Sequence, residues 1–226
     1  MTKTVPVREH DLKDELAAPG FPILARALAE VSRNFYDRGW VMGTSGNFSA
    51  VVSRDPLRLA ITSTGADKGL LSVEQIVQID PAGKTIEGSR RPSDEARLHL
   101  AIVRKRGAGA VLHTHSIWAT LLSEIFAKEG GIDLEGYEML KGLARVRTHA
   151  HKEWIPLIEN AQDVAVLSRS VEDTLEQHPN CHGFLIRRHG LYTWGQDLVE
   201  AKRHVEILEF LFEVVGRTMS ASAKGL

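Results

Sequence analysis

The sequence predicts a three-layer α/β/α fold on a mixed, largely antiparallel central sheet. Two observations carry this. Apolar residues recur at three- and four-residue spacing in several long segments, the pattern of helices with one buried face. The short β-type runs between them arrive both as hairpin-like pairs and singly between helices, which a doubly wound parallel sheet would not give. The chain has 226 residues, of which 43% are hydrophobic and 25% charged, enough for a substantial core. No repeat, low-complexity tract or linker divides it. Residues 21–226 therefore read as one domain behind a loose, flexible lead at residues 1–20.

The elements follow in order. Phe21 to Arg38 places Leu24, Ala27, Leu28, Val31 and Phe35 at helical spacing, with Gly39 as a C-terminal cap. A turn at Gly43-Thr44-Ser45-Gly46-Asn47 leads to a strand near Phe48 to Val52. Leu59 to Thr64 and Ile76 to Asp80 read as further strands. Ser93 is placed to cap a helix that runs to about Arg106, with Asp94 and Glu95 favouring its positive end. Gly107 and Gly109 open a strand that ends in Val111-Leu112-His113-Thr114-His115. Ser116 caps a helix over Ile117 to Lys128, and another covers Asn160 to Gln177 before Pro179. Gly183 to Arg188 is a strand ending at His189-Gly190. The last helix begins near Asp197; Leu198, Ala201, Val205, Leu208, Phe212 and Val215 form one stripe and Ile207, Leu211 and Val214 a second. So broad an apolar face suits contact with another subunit as well as deep burial.

Composition excludes several function classes. A formal net charge of −1 gives no field to attract nucleic acid or anionic membrane, so neither is expected as a partner. The single cysteine, Cys181, rules out an intrachain disulfide. No apolar run reaches the roughly 18 residues of a membrane span, and no signal-peptide core appears. A soluble protein of the reducing cytoplasm is expected.

The chemistry begins at His113 and His115. Strand side chains alternate faces, so these two share one side with Cα atoms about 6.5–7 Å apart. A metal ion with an open catalytic position needs a third protein ligand. His99, His149, His151, His182 and His189 are the candidates. His99 lies within a helix and reads as structural. His149 and His151 form a second such pair, but Arg145, Arg147 and Lys152 surround them, and nearby cations oppose another cation. His189, at a strand end beside Gly190, is best placed. Two loops suit an anion: Gly43 to Asn47, and Ser63-Thr64-Gly65-Ala66-Asp67-Lys68-Gly69, each offering backbone N–H groups and hydroxyls. Neither is a Walker loop or a dinucleotide fingerprint.

Taken together, Gly43-to-Asn47, Ser63-to-Gly69, Pro92-Ser93-Asp94-Glu95, His113-Thr114-His115 and Arg188-His189-Gly190 stand in the order seen in the class II aldolase/adducin family. The chain resembles that family from about Phe21 to Val215. Within it, Gly136-Tyr137-Glu138-Met139-Leu140-Lys141 and His189-Gly190-Leu191-Tyr192-Thr193-Trp194-Gly195 are most similar to a dehydratase branch of methionine salvage. The resemblance implies one zinc ion per subunit on His113, His115 and His189. It implies a substrate phosphate among Thr44, Ser45, Gly46, Asn47, Ser63, Thr64, Gly65 and Lys68, and a homotetramer with active sites near subunit contacts. The implied reaction is loss of water from a phosphorylated sugar, 5-methylthioribulose 1-phosphate, to give a 2,3-diketone phosphate. Glu138 and Glu95 compete for the proton work, with Glu138 preferred, and Tyr137, Tyr192 and Trp194 are candidates to line a methylthio pocket. A sugar-phosphate aldolase or pentose-phosphate epimerase is the alternative, and a non-catalytic adducin-like module a weaker one.

Overall fold

The computed structural model describes residues 20–222, so the lead expected over residues 1–20 lies outside it except for Gly20. One nine-stranded sheet runs through the molecule. The helices are α1 (Phe21–Asp37), α2 (Ala96–Arg106), α3 (Ile117–Ile125), α4 (Val164–Gln177) and α5 (Leu198–Ser222). The strands are β1 (Asn47–Arg54), β2 (Leu57–Thr62), β3 (Ile76–Ile79), β4 (Thr85–Glu87), β5 (Ala110–Thr114), β6 (Gly131–Glu135), β7 (Lys152–Ile158), β8 (Gly183–Ile186) and β9 (Gly190–Gly195). Their spatial order is β4-β3-β2-β1-β5-β9-β8-β7-β6. Only β7 and β8 pair in parallel; every other pair is antiparallel. The sheet is thus mixed and largely antiparallel, as expected.

Strand alternation sorts the side chains into layers. On one face Leu59, Ile61, Val111, Phe184, Ile186 and Tyr192 pack with Leu98 and Ile102 of α2 and Leu167, Val171 and Leu175 of α4. On the other, Phe48, Ala50, Ala60 and Leu112 meet Leu24, Leu28 and Phe35 of α1 and Val205 of α5. Further along that face Leu185 and Leu191 meet Ala119 and Leu122 of α3 and Leu208, Leu211 and Phe212 of α5. Both stripes of α5 therefore contribute to the fold of the chain itself.

Several boundaries differ from those the sequence suggests. Ser116 does cap α3, accepting the Ala119 N–H at 3.0 Å. Ser93 does not cap α2. It makes a turn first, its carbonyl accepting from Ala96 and its hydroxyl from the Glu95 N–H, and the helix begins at Ala96. The segment Asn160 to Asp163 is not helical; Asp163 caps α4 at the Ala165 N–H, 2.8 Å. Strands β6, β7 and β9 leave weak signals. Pro156 interrupts β7, and proline cannot donate to a ladder. All six residues of β9 are buried, so it shows no polar alternation.

Two contacts fix how the strands meet. Gly190 lies so near β5 that a Cβ there would sit 1.9 Å from the Thr114 carbonyl oxygen. At the other end of β9, Glu153 of β7 is 2% exposed and is held by His182 and His151. His182 donates from Nδ1 to Glu153 Oε2 (2.9 Å) and from Nε2 to the Ala144 carbonyl (2.8 Å), so its ring carries both protons. Burial opposes that charge, but the Glu153 carboxylate holds the His182 pKa above its ordinary value. Glu153 is likewise opposed by burial and held below the usual carboxylate range by His182.

Glu153→Gln leaves the imidazolium without a counter-charge and is expected to cost about 3–5 kcal/mol, read by urea unfolding near pH 6. The Glu153 contribution is present above its unfolded pKa and fades as pH falls through its lowered folded value. The His182 contribution is complete below the unfolded imidazole pKa and fades as pH rises through its raised folded value. A loss under about 1 kcal/mol at pH 6 would remove the pair from this role. Gly190→Ala forces β9 off β5 and is expected to cost about 1–3 kcal/mol in the same assay.

Candidate active site

Strand β5 carries His113 at its inner end, fully buried, and the chain continues to His115, whose N–H donates to the Trp40 carbonyl at 2.8 Å. Between β8 and β9 a tight turn places Arg188 at φ +54° and swings His189 toward the same point. Arg187 and Arg188 both bind Glu124 of α3, which anchors that turn. The outcome is a cluster of three imidazoles. His113 Nε2 lies 2.8 Å from His115 Nε2 and 3.3 Å from His189 Nε2. Of the five candidates for a third ligand, His189 is the one that joins the pair. His149 is on the surface, His99 lies behind the cluster, and His151 and His182 are bound to Glu153 near the far end of β9.

The charge state follows from the surroundings. His113 donates from Nδ1 to the Leu191 carbonyl (2.9 Å), which leaves a lone pair on Nε2. Burial, then the neighbouring His115 and His189, push its pKa well below the ordinary imidazole value. His115 is pushed down to about 3 by burial, then by His189 and Lys68. His189 is lowered by burial, against an opposing pull from Glu95. Burial thus disfavours the charged form of all three rings, and their Nε2 atoms converge. His115 and His189 are partly exposed, so the cluster can be reached. This donor set fits a divalent cation. His151, Glu153 and His182 also converge, but there protons already satisfy the carboxylate, and Arg145 stands nearby.

Glu95, at the start of α2, is the carboxylate beside the imidazoles. Its Oε2 is 3.6 Å from His113 Nε2 and its Oε1 3.6 Å from His189 Nε2. Asn47 donates from Nδ2 to Glu95 Oε2 at 2.7 Å and receives His99 on its other end. One N–H of its amide is therefore committed to the carboxylate. Glu138 lies elsewhere, in a short 3-10 turn over Glu138–Gly142. Its side chain is 70% exposed and pairs with Lys141 and, at 3.7 Å, with His149. Among the described residues it makes no contact with the three histidines.

The two loops meet through Lys68. Its side chain is buried, and Nζ donates to the carbonyls of Thr44 (3.1 Å) and Ala66 (2.8 Å). Burial lowers its pKa to about 8, with Asp67 opposing. Gly46 has φ +73° and packs so near the His113 carbonyl that a Cβ would lie 2.7 Å from it, which ties the first loop to the histidine strand. Ser45 and Ser63 each hold a buried hydroxyl with no partner in the chain. Thr64 donates to Asp94 (3.1 Å), while Thr44 and Gly65 are exposed.

The aromatic residues have other work. Tyr192 is fully buried, stacked on His113 at 3.9 Å and on Phe184 at 5.2 Å. It holds the His113 ring in place and, being fully buried, offers no wall to a methylthio group. Trp194, one pleat further on, lies against Arg106 at 5.3 Å. Tyr137 packs against the α3/α5 cluster. Motif reading gave His99 only a structural part and Tyr192 a place in a methylthio pocket, and it missed the Asn47–Glu95 bond. A signal existed: Glu95 and His99 are four apart, so they face one way on a helix, and Asn47 and Ser49 are two apart on a strand.

The chain is similar to known proteins over most of its length. Residues 26–215 match the family model "Class II Aldolase and Adducin N-terminal domain". The chain is 44% identical over 198 residues to a methylthioribulose-1-phosphate dehydratase of Methylococcus capsulatus, covering 87% of this chain and 95% of that one. It is 40% identical over 196 residues to the enzyme of that name from Marinobacter nauticus, covering 86% and 93%. The crystal structure of an L-fuculose-1-phosphate aldolase from Thermus thermophilus superposes with a TM-score of 0.72 at 21% identity, covering 90% of this chain and 98% of that one, which shows the shared fold. By sequence and by architecture, the chain belongs to the class II aldolase and adducin N-terminal domain family.

Proposed function

We propose that this chain is a methylthioribulose-1-phosphate dehydratase, a hydro-lyase that removes water from 5-methylthioribulose 1-phosphate to give 2,3-diketo-5-methylthiopentyl 1-phosphate. The observation that carries the reading is the trio of converging imidazoles with Glu95 beside it, in a chain at least 40% identical to relatives of that name. In this reading His113, His115 and His189 hold one zinc ion. Zinc there supplies a Lewis acid that acidifies the C–H next to the ketone and balances the charge left when the proton departs.

The residues divide the remaining work. Ser45 and Ser63, with their unpartnered hydroxyls, and Thr44, Gly46, Thr64 and Gly65 form the phosphate cradle, and Lys68 braces its two loops and adds positive charge. Asn47 supports the cradle only through its backbone. A carboxylate takes the proton from the third carbon, and an acid returns one to the hydroxyl leaving the fourth; the enol then relaxes to the diketone. Glu95 is the group within reach of the histidine cluster. Glu138 serves as the second acid/base from its surface position, and a homotetramer with active sites at subunit contacts gives it access to a neighbour's site. The reaction belongs to methionine salvage in the cytoplasm.

Turnover of methylthioribulose 1-phosphate, run beside fuculose and ribulose phosphates, is expected to yield a diketone absorbing in the near ultraviolet, with one zinc per subunit by metal analysis. A smaller aldehyde as product would make the chain an aldolase. His113→Ala is expected to lose both metal and activity. Glu95→Gln and Glu138→Gln are each expected to keep the metal and lose about 100-fold or more in kcat. Mixed assemblies of Glu138→Gln and His113→Ala subunits should regain part of the activity; failure to do so would confine Glu138 to its own subunit.

A further inference from the structure

We propose that His99, acting through Asn47, is a positioning residue that holds the Glu95 carboxylate against the three histidines. The inference rests on the reading of Glu95 as a working group of this site. Four buried or half-buried side chains form a single line. Ser49 Oγ lies 2.7 Å from His99 Nδ1, His99 Nε2 meets Asn47 Oδ1, and Asn47 Nδ2 lies 2.7 Å from Glu95 Oε2. The two Glu95 oxygens then lie 3.6 Å from His113 and from His189.

The protons along this line can run only one way. A carboxylate accepts, so the Asn47 amide must turn its NH2 to Glu95. Its carbonyl oxygen then faces His99 and needs a donor. His99 is completely buried, and burial pushes its pKa down to about 3, so the ring is neutral and owns one N–H. That N–H must be on Nε2. The bare Nδ1 accepts from the Ser49 hydroxyl. Each link fixes the next. Without His99 the Glu95 carboxylate alone holds the amide, and the buried Asn47 carbonyl oxygen loses its donor. An Asn47 that moves to satisfy that oxygen carries its NH2 away from the carboxylate and releases Glu95 from the cluster.

The local sequence builds this line from two elements. Asn47 and Ser49 share a face of β1, and Asn47 pairs with His113 in the β1–β5 register, which places the amide next to the first histidine. Glu95 and His99 share a face at the start of α2. The Tyr192 ring meets His99 edge-on at 5.8 Å and stacks on His113, so it closes the line on the side of β9. An apolar side chain at position 99 would pack with Leu98 and Ile102 but leave the buried Ser49 hydroxyl and Asn47 carbonyl oxygen without a partner. The line of polar groups ends on Glu95, the carboxylate within 3.6 Å of His113 and His189.

The test compares His99→Leu with His99→Gln, whose amide N–H can replace the Nε2 donor. In His99→Leu we expect one metal per subunit, KM within about threefold of the parent and kcat down about 10–100-fold. His99→Gln is expected to recover most of that loss. A crystal structure of His99→Leu should show Asn47 displaced and the Glu95 oxygens withdrawn from His113 and His189. If the leucine variant does not fold, Ser49→Ala supplies the same comparison with a smaller loss of kcat. A metal-loaded His99→Leu or Ser49→Ala with parental kcat, equal losses in the leucine and glutamine variants, or an unmoved Glu95 would each overturn the proposal. A parent protein without dehydratase activity would instead sink the substrate assignment, while the position of Glu95 in the variant structure would still decide this one.

Discussion

Three imidazoles can be packed side by side in a protein interior only if they are uncharged, and that requirement shapes the rest of this molecule. Protonated rings with donor atoms about 3 Å apart would repel one another strongly in so dry a place. Burial removes the protons, and a backbone carbonyl on β9 fixes the tautomer of His113. What remains is a set of lone pairs with a shared focus. The approach of β9 to β5 is what creates it: the Gly190 hydrogen lets two backbones come closer than any side chain would permit. His189, which precedes that glycine, is delivered to the cluster by the same contact.

The supporting groups obey one rule, that a buried polar atom must find a partner. Lys68 does not lie free in the loops; its ammonium is tied to two carbonyls and fastens one loop to the other. Asn47 is spent on Glu95, and His99 on Asn47. Among the described residues the exceptions include Ser45 and Ser63 at the loops and Tyr192 and His189 at the histidine cluster, as well as Asn34, Arg106 and Glu209.

The far end of β9 solves a similar problem in the opposite way. There three groups capable of binding a metal also meet, but the histidine that faces two acceptors keeps both its protons and neutralises a buried glutamate. The result is a clamp between β7, β8 and the turn at Ala144. Residue type alone does not distinguish the two clusters. The distinction lies in whether each ring nitrogen points at a lone pair or at another ring.

Much of this was legible in the chain. The strand carrying His113 and His115, the two glycine-rich loops, the cap at Ser116 and the helical stripes of α1 and α5 all follow from spacing, because local geometry decides which face a residue takes. The mixed, largely antiparallel sheet follows from the alternation of strands and helices. Strands β4, β6, β7 and β9 did not show themselves: β4 and β6 are short, Pro156 imitates a break in β7, and burial of all six residues of β9 erases its alternation. The convergence of His189 on residues more than seventy positions earlier, the engagement of Asn47 with Glu95, and the separation of Glu138 from the cluster were decided only by the tertiary structure. A sequence states which neighbours share a face; which distant faces meet depends on how the strands are ordered across the sheet, and that order is set by packing of the whole chain.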